Sequence, residues 1–263
     1  MTIDADRRAQ AAAALATAER DAAPIPPLSE TYPGLEASDA YEIQLVNIRR
    51  RNAEGAEVLG HKVGLTATAM QELLGVDEPD YGHLLDDMVH ADDVELPIVR
   101  FCAPRIEPEI TFRLHSPLTG PGVTVEDVLA ATDAVIASLE IVDSRVADWK
   151  ITLADTIADN ASAAGTVLGS TWVSLDEAGS LPDIVCELLV NGEVVSTGTG
   201  AAVLGHPAQA VAWLANTLGP MGITLEAGHL VMPGSCTSAP FLSAGDHVEA
   251  RFSGLGTVTA NFT

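Results

Sequence analysis

The sequence predicts an α+β protein, helical at its N-terminal end and strand-rich from about Pro97 onward. Three observations carry that reading. Ala-rich and 3.6-periodic segments fill the first part of the chain, short alternating runs with hairpin signals fill the rest, and 22 Gly with 15 Pro punctuate the whole. A length of 263 residues suits one large domain, or one domain with a cap. The expected division is a helical N-terminal region or cap over 1–95 and a β-rich core over 96–263.

In chain order, Asp4 or Asp6 can cap a helix running through the Ala-rich stretch to about Asp21, where Pro24-Ile25-Pro26-Pro27 stops it. Ser38 or Asp39 opens a second helix, Ala40 to about Glu54, with Tyr41, Leu45 and Ile48 spaced to share a face. Its end carries Arg49, Arg50 and Arg51, which either complement the helix dipole or form an anion site. Val58 to Leu65 reads as a strand with glycines on either side of Lys62. Thr66 then caps a helix over 67–74 closed by Gly75, and Asp77 to Gly82 reads as a polar turn. Beyond Pro97 come a strand over Arg105 to Phe112, a helix opened by Thr124 or Glu126 through about Asp133, and an apolar strand over Ala134 to Val142. A helical turn follows at Leu153 to Ala158. Asn191-Gly192 marks a type I′ hairpin. A helix from His206-Pro207 to Leu218 and a terminal hairpin around Ser253-Gly254-Leu255-Gly256 complete the chain.

Charge and composition narrow the function. A net charge of −24 leaves nothing to replace phosphate counterions, so neither nucleic acid nor an anionic membrane is an expected partner. The N-terminus is acidic where a signal peptide would be basic, and no apolar run approaches ~18 residues, so a cytoplasmic protein is expected. Cys102, Cys186 and Cys236 are odd in number and widely spaced, which suggests neither a disulfide framework nor a zinc site. Dinucleotide, P-loop and nucleophile-elbow motifs are absent.

The candidate chemistry lies in Arg105-Ile106-Glu107-Pro108-Glu109 and in Leu139-Glu140-Ile141. A strand turns side chains i and i+2 the same way, so Glu107 and Glu109 share a face. Such alternation also describes the solvated face of a half-buried sheet. Glu140 differs, because it interrupts an apolar run, where an unpaired carboxylate would lose several kcal/mol of hydration. Three carboxylates with no adjacent Lys-Arg cluster call for a cation, and oxygen-only ligation points to Mg²⁺ or Mn²⁺. Taken alone, Lys62 reads equally as an edge-strand gatekeeper, and Asp80 as local turn chemistry.

Several segments together resemble one family. Gly60-His61-Lys62-Val63-Gly64-Leu65-Thr66, Gly75 to Gly82, Arg105 to Phe112, Glu140 to Arg145 with Trp149-Lys150, and Ala158 to Ser162 are similar to the 2-keto-4-pentenoate hydratases. These belong to the fumarylacetoacetate hydrolase superfamily, with 4-oxalocrotonate decarboxylase as a close sibling. The resemblance implies a mixed β-rich core of the β-roll kind, one Mg²⁺ or Mn²⁺, and a large homo-oligomer such as a pentamer or decamer, possible complexes with pathway enzymes included. It places the metal on Glu107, Glu109 and Glu140, substrate chemistry on Lys62 and Asp80, and a substrate-carboxylate contact on Ser162. Ala163-Ala164-Gly165 departs from the family, which commonly has a serine there. The implied substrate is a 2-oxo or 2-hydroxydienoic acid. The implied reaction is hydration of 2-hydroxypenta-2,4-dienoate in catabolism of aromatic compounds. Decarboxylation of 4-oxalocrotonate is the alternative enzyme, and a non-catalytic partner subunit the alternative of another class.

Overall fold

A computed structural model describes residues 3–67, 71, 76 and 78–263. Two mixed sheets form the body. One has seven strands in the order β2 (Asp80–Leu85), β1 (Val58–Gly64), β10 (Leu230–Met232), β5 (Arg105–Leu114), β6 (Thr132–Val142), β7 (Ala163–Leu168), β3 (Val89–Ala91), and the other has five in the order β4 (Val94–Leu96), β12 (Gly256–Phe262), β11 (His247–Phe252), β8 (Val185–Val190), β9 (Glu193–Thr199). The long antiparallel pair β5 (Arg105–Leu114) and β6 (Thr132–Val142) sits inside the larger sheet. Its register sets Glu107 opposite Glu140 and Glu109 opposite Ser138. On the flank, β1 (Val58–Gly64) runs parallel to the short β10 (Leu230–Met232) and antiparallel to β2 (Asp80–Leu85).

The N-terminal helices form where their caps and faces allow. In α1 (Ala5–Asp21) the Asp4 carboxylate accepts the Arg7 N–H, so Asp4 is the cap. The second long helix, α3 (Ala37–Ala53), starts three residues before the expected Ala40, following a single helical turn, α2 (Leu28–Thr31). Asp39 does not cap it. Its buried carboxylate accepts the Ile3 N–H at 3.3 Å and pairs with Arg8 at 3.5 Å, fastening α3 to the start of α1. From the inner face of α3, Gln44 donates its amide to the carbonyls of Tyr81 and Ile157, which docks the helical layer on β2 and on the helix Leu153–Ala158.

Three expectations are corrected. Residues 80–82 are not a turn: they begin β2, fully buried along its length, because pairing with β1 satisfies the backbone that a local reading leaves to solvent. The helix opened by Thr124, capped through a reciprocal box with Asp127, ends at Ala131, since Thr132 already enters β6. The boundary expected at residue 95 does not separate helices from sheets. The second long helix ends at Ala53, while β1, β2, β3 (Val89–Ala91) and β4 (Val94–Leu96) all join the sheets. The helix expected over 67–74 lies outside the described residues. Both hairpins form as expected, and Asn191 (φ 53°) and Gly192 (φ 83°) take the left-handed conformations a type I′ turn needs.

Candidate active site

Register and strand alternation gather the three glutamates. Glu107, Glu109 and Glu140 bring carboxylate oxygens within 4.8 Å of one another. Glu109 and Glu140 are 0% exposed, and Glu107 is partly exposed. One oxygen of Glu109, Oε2, accepts the Gly234 N–H at 2.8 Å. Among the described residues its Oε1, and both oxygens of Glu140, have no hydrogen-bond partner. Unsatisfied buried carboxylate oxygens are expensive, and three converging on one volume form an oxygen-only donor set for a hard divalent cation.

The electrostatics say the same. Burial pushes the Glu140 carboxyl up to about 7, against the opposing pull of Lys62 and with a further push from Glu107. Glu109 is held well above the usual carboxylate range by burial, then by Glu140 and Glu107, and burial also raises Glu107. Without a cation the cluster therefore favours protons.

Lys62 is buried, with Nζ 3.4 Å from Glu140 Oε1, and it donates a hydrogen bond to the Ala161 carbonyl at 2.9 Å. Burial works to lower its pKa, but Glu140, Asp80, Glu107 and Glu109 outweigh it and the net direction is upward. The side chain is a fixed ammonium. Asp80 opens β2 directly across from Gly64. Its Oδ2 accepts the Thr156 hydroxyl at 2.5 Å, and its buried Oδ1 has no partner among the described residues. A Cβ on Gly64 would come within 2.2 Å of Asp80 Oδ1 and 2.9 Å of Lys62 Nζ, so only glycine leaves room for both groups.

Ser162 closes a turn of three consecutive left-handed residues, Asn160 (φ 54°), Ala161 (φ 50°) and Ser162 (φ 56°). Non-glycine residues hold that conformation only where their surroundings enforce it. Here the Asn160 side chain bridges the His83 N–H and C=O, and buried Arg145 bonds Asp159 and the Ala163 carbonyl on either side. The turn delivers the Ala161 carbonyl to Lys62 and leaves the Ser162 hydroxyl buried and without a partner among the described residues.

These groups border a cavity of about 310 Å³, whose walls include Lys62, Asp80, Arg105, Glu107, Trp149 and Ser162. All six residues named from the sequence thus fall into one site: four line the cavity, and Glu109 and Glu140 join through the carboxylate cluster. Sequence reasoning missed Arg105 and Thr156. Arg105 carried a usable signal, since it sits two residues before Glu107 on the same strand face. Thr156, far from Asp80 in sequence, carried none.

Fold and site together define the class. The family described as fumarylacetoacetate (FAA) hydrolase C-terminal matches residues 82–263, and the chain belongs to it. Within that family its relatives are hydratases of short unsaturated 2-oxo acids and their decarboxylase siblings. The 2-keto-4-pentenoate hydratase of Paraburkholderia xenovorans is 43% identical over 97% of this chain and 95% of its own. The 2-hydroxyhexa-2,4-dienoate hydratase of Comamonas testosteroni is 44% identical over 93% of each chain. Among solved structures, 4-oxalocrotonate decarboxylase from Pseudomonas putida G7, complexed with magnesium and adipate, matches with a TM-score of 0.96 and 37% identity, covering 100% of this chain and 99% of that one.

Proposed function

We propose that this protein is a hydro-lyase that adds water to 2-hydroxypenta-2,4-dienoate, giving 4-hydroxy-2-oxopentanoate in the breakdown of aromatic compounds. The observation that carries the reading is the set of unsatisfied buried carboxylate oxygens of Glu109 and Glu140, clustered with Glu107 and set beside a buried ammonium and a buried Asp80 that line one cavity with it. Near-full-length similarity to named hydratases supports it.

Glu107, Glu109 and Glu140 would hold one Mg²⁺ or Mn²⁺. When bound, the ion supplies Lewis-acid stabilisation of negative charge on the substrate's C2 oxygen. Lys62 adds a fixed positive charge beside that oxygen and the C1 carboxylate, kept in place by the Ala161 carbonyl. The Ser162 hydroxyl, without a hydrogen-bond partner among the described residues, is available to the carboxylate. Asp80 moves the protons. It takes the proton of the C2 hydroxyl and delivers it to C5, converting the dienol to the conjugated 2-oxo-3-enoate, then takes one from the water that adds at C4 and returns it to C3. Thr156 fixes which carboxylate oxygen remains free for that exchange.

A second reading, decarboxylation of 4-oxalocrotonate, is favoured by the 0.96 TM-score to a decarboxylase, and the same cluster would serve it. One ultraviolet assay separates the two. The Mg²⁺- or Mn²⁺-loaded protein is offered freshly generated 2-hydroxypenta-2,4-dienoate and, separately, 4-oxalocrotonate. Metal-dependent loss of the dienoate with formation of 4-hydroxy-2-oxopentanoate is the expected result. CO₂ release without hydration would assign the decarboxylase, and silence with both would overturn both. Asp80→Asn is expected to lower turnover by about two to four orders of magnitude while metal binding persists. An unimpaired variant would remove Asp80 from proton transfer.

A further inference from the structure

Arg105 is a charged group at the cavity that the proposed reaction does not use. It lies on β5 in the series Arg105, Glu107, Glu109, all on one strand face. At about 3.4 Å per residue, its Cα is about 7 Å beyond that of Glu107 and about 14 Å beyond that of Glu109. Burial falls along the same line, from fully buried Glu109 to partly exposed Glu107 and Arg105, so the series runs from the floor of the cavity to its rim.

The guanidinium is prepared for a ligand. Its Cζ lies 4.9 Å from the ring centre of Trp149 and 4.0 Å from that of Phe241, so aromatic rings occupy its faces. Trp149 is in turn fixed by its indole N–H, which donates to the Ala103 carbonyl at 3.0 Å, and Phe241 is tied to Arg105 by a backbone bridge. The edge donors are not used up: among the described residues the buried Nε has no hydrogen-bond partner. Among the described residues no carboxylate forms an ion pair with Arg105. A guanidinium with covered faces and free edge donors matches a planar carboxylate in the plane of the fork.

We propose that Arg105 is the specificity-determining residue for the far end of the substrate, accepting a second carboxylate there. The cavity is then matched to unsaturated 2-oxo acids that carry a second carboxylate, and the five-carbon dienoate, which has only one, is turned over without that contact. This rests on the reading above for the orientation, in which the 2-oxo acid end lies at the glutamate cluster and the chain extends along β5 toward the rim. A purely structural Arg105, clamping Trp149 to Phe241, would gain nothing from an anion. The methyl-ended chain would then bind better, because a distal carboxylate would lose hydration without a partner.

Saturated acids isolate the effect, since they cannot be hydrated. Full-length Mg²⁺-loaded protein is titrated calorimetrically with 2-oxoadipate and 2-oxopimelate, and with their methyl-ended counterparts 2-oxohexanoate and 2-oxoheptanoate. At least one diacid is expected to bind about ten- to a hundredfold tighter than its counterpart, the range of a charge-assisted hydrogen bond. Arg105→Gln should bring that ratio to about one. Arg105→Lys should restore part of it, supplying the charge without the fork. Equal affinities in the unmodified protein overturn the proposal, as does failure of all four acids to bind, or an Arg105→Gln variant that weakens diacid and monoacid alike. The comparison in the unmodified protein stands even if a variant fails to fold. Hydration of the five-carbon dienoate is scored separately. A protein that separates the acids but hydrates nothing keeps this assignment and loses the hydratase, while one that hydrates but does not discriminate loses only Arg105.

Discussion

Glu109→Gln puts the carboxylate cluster to its most direct test. Burial, Glu140 and Glu107 all drive the Glu109 carboxyl well above its usual range, and burial takes Glu140 to about 7. A carboxyl whose folded-state value exceeds its unfolded value binds protons that the unfolded chain has released. The metal-free protein is therefore expected to lose stability as pH rises from the unfolded value, near 4.5, through about 7. At about 1.4 kcal/mol per pH unit, the rise of Glu140 alone corresponds to about 3 kcal/mol. Gln keeps an oxygen for the Gly234 N–H, presents an amide donor to Glu140 and removes one buried charge. At pH 8 without metal it should recover about 1–3 kcal/mol, or about 2–10 °C in the unfolding midpoint of a chain this long. With Mg²⁺ the balance moves toward the unmodified protein by about 2.3 kcal/mol. At a concentration of about 100 Kd the unmodified protein gains about 2.7 kcal/mol, whereas a variant binding about a hundredfold more weakly gains about 0.4. Scanning calorimetry after chelation, at pH 5 and pH 8 with and without Mg²⁺, reads all four states. A metal-free variant no more stable than its parent at pH 8, or one that keeps the whole Mg²⁺ shift, would refute the reasoning.

Three other outcomes follow from particular contacts. Thr156→Val removes the hydroxyl that holds Asp80 Oδ2 and should lower kcat about tenfold with little change in melting temperature, as steady-state kinetics would show. Gly64→Ala forces a methyl against Asp80 Oδ1 and Lys62 Nζ; turnover should fall by at least about tenfold while Mg²⁺ still binds, which calorimetric titration checks. Arg145→Met leaves Asp159 buried and unpaired and frees the 160–162 turn, at about 3–5 kcal/mol, so thermal unfolding should begin roughly 6–20 °C lower.

Much of the site was legible because its parts obey short-range rules. Alternation alone put Glu107 and Glu109 on one face, and the apolar run from Ala134 to Val142 made the charge of Glu140 conspicuous. Lys62 and Asp80 were ambiguous by themselves, each compatible with an ordinary edge or turn. Similarity of several ordered segments to a family gave them a shared place, and the structure puts them on neighbouring strands of one sheet. Asp80 shows the limit: an Asp-Tyr-Gly sequence favours a turn locally, and only pairing with β1 makes it the start of a buried strand.

By itself the sequence determined most element types, their order, both hairpins and which three carboxylates cluster. Those features depend on side-chain period, caps and turn residues a few positions apart. The tertiary structure alone decided how the pieces meet. β1 and β6 are three places apart in their sheet, about 14 Å if it were flat, yet Lys62 Nζ lies 3.4 Å from Glu140 Oε1. The two long side chains reach across that gap over the strands between them. The left-handed turn at Asn160-Ala161-Ser162 and the aromatic seat of Arg105 were likewise invisible in sequence. Each is enforced by residues that come together only when distant strands pair and distant loops pack, and no local preference encodes that packing.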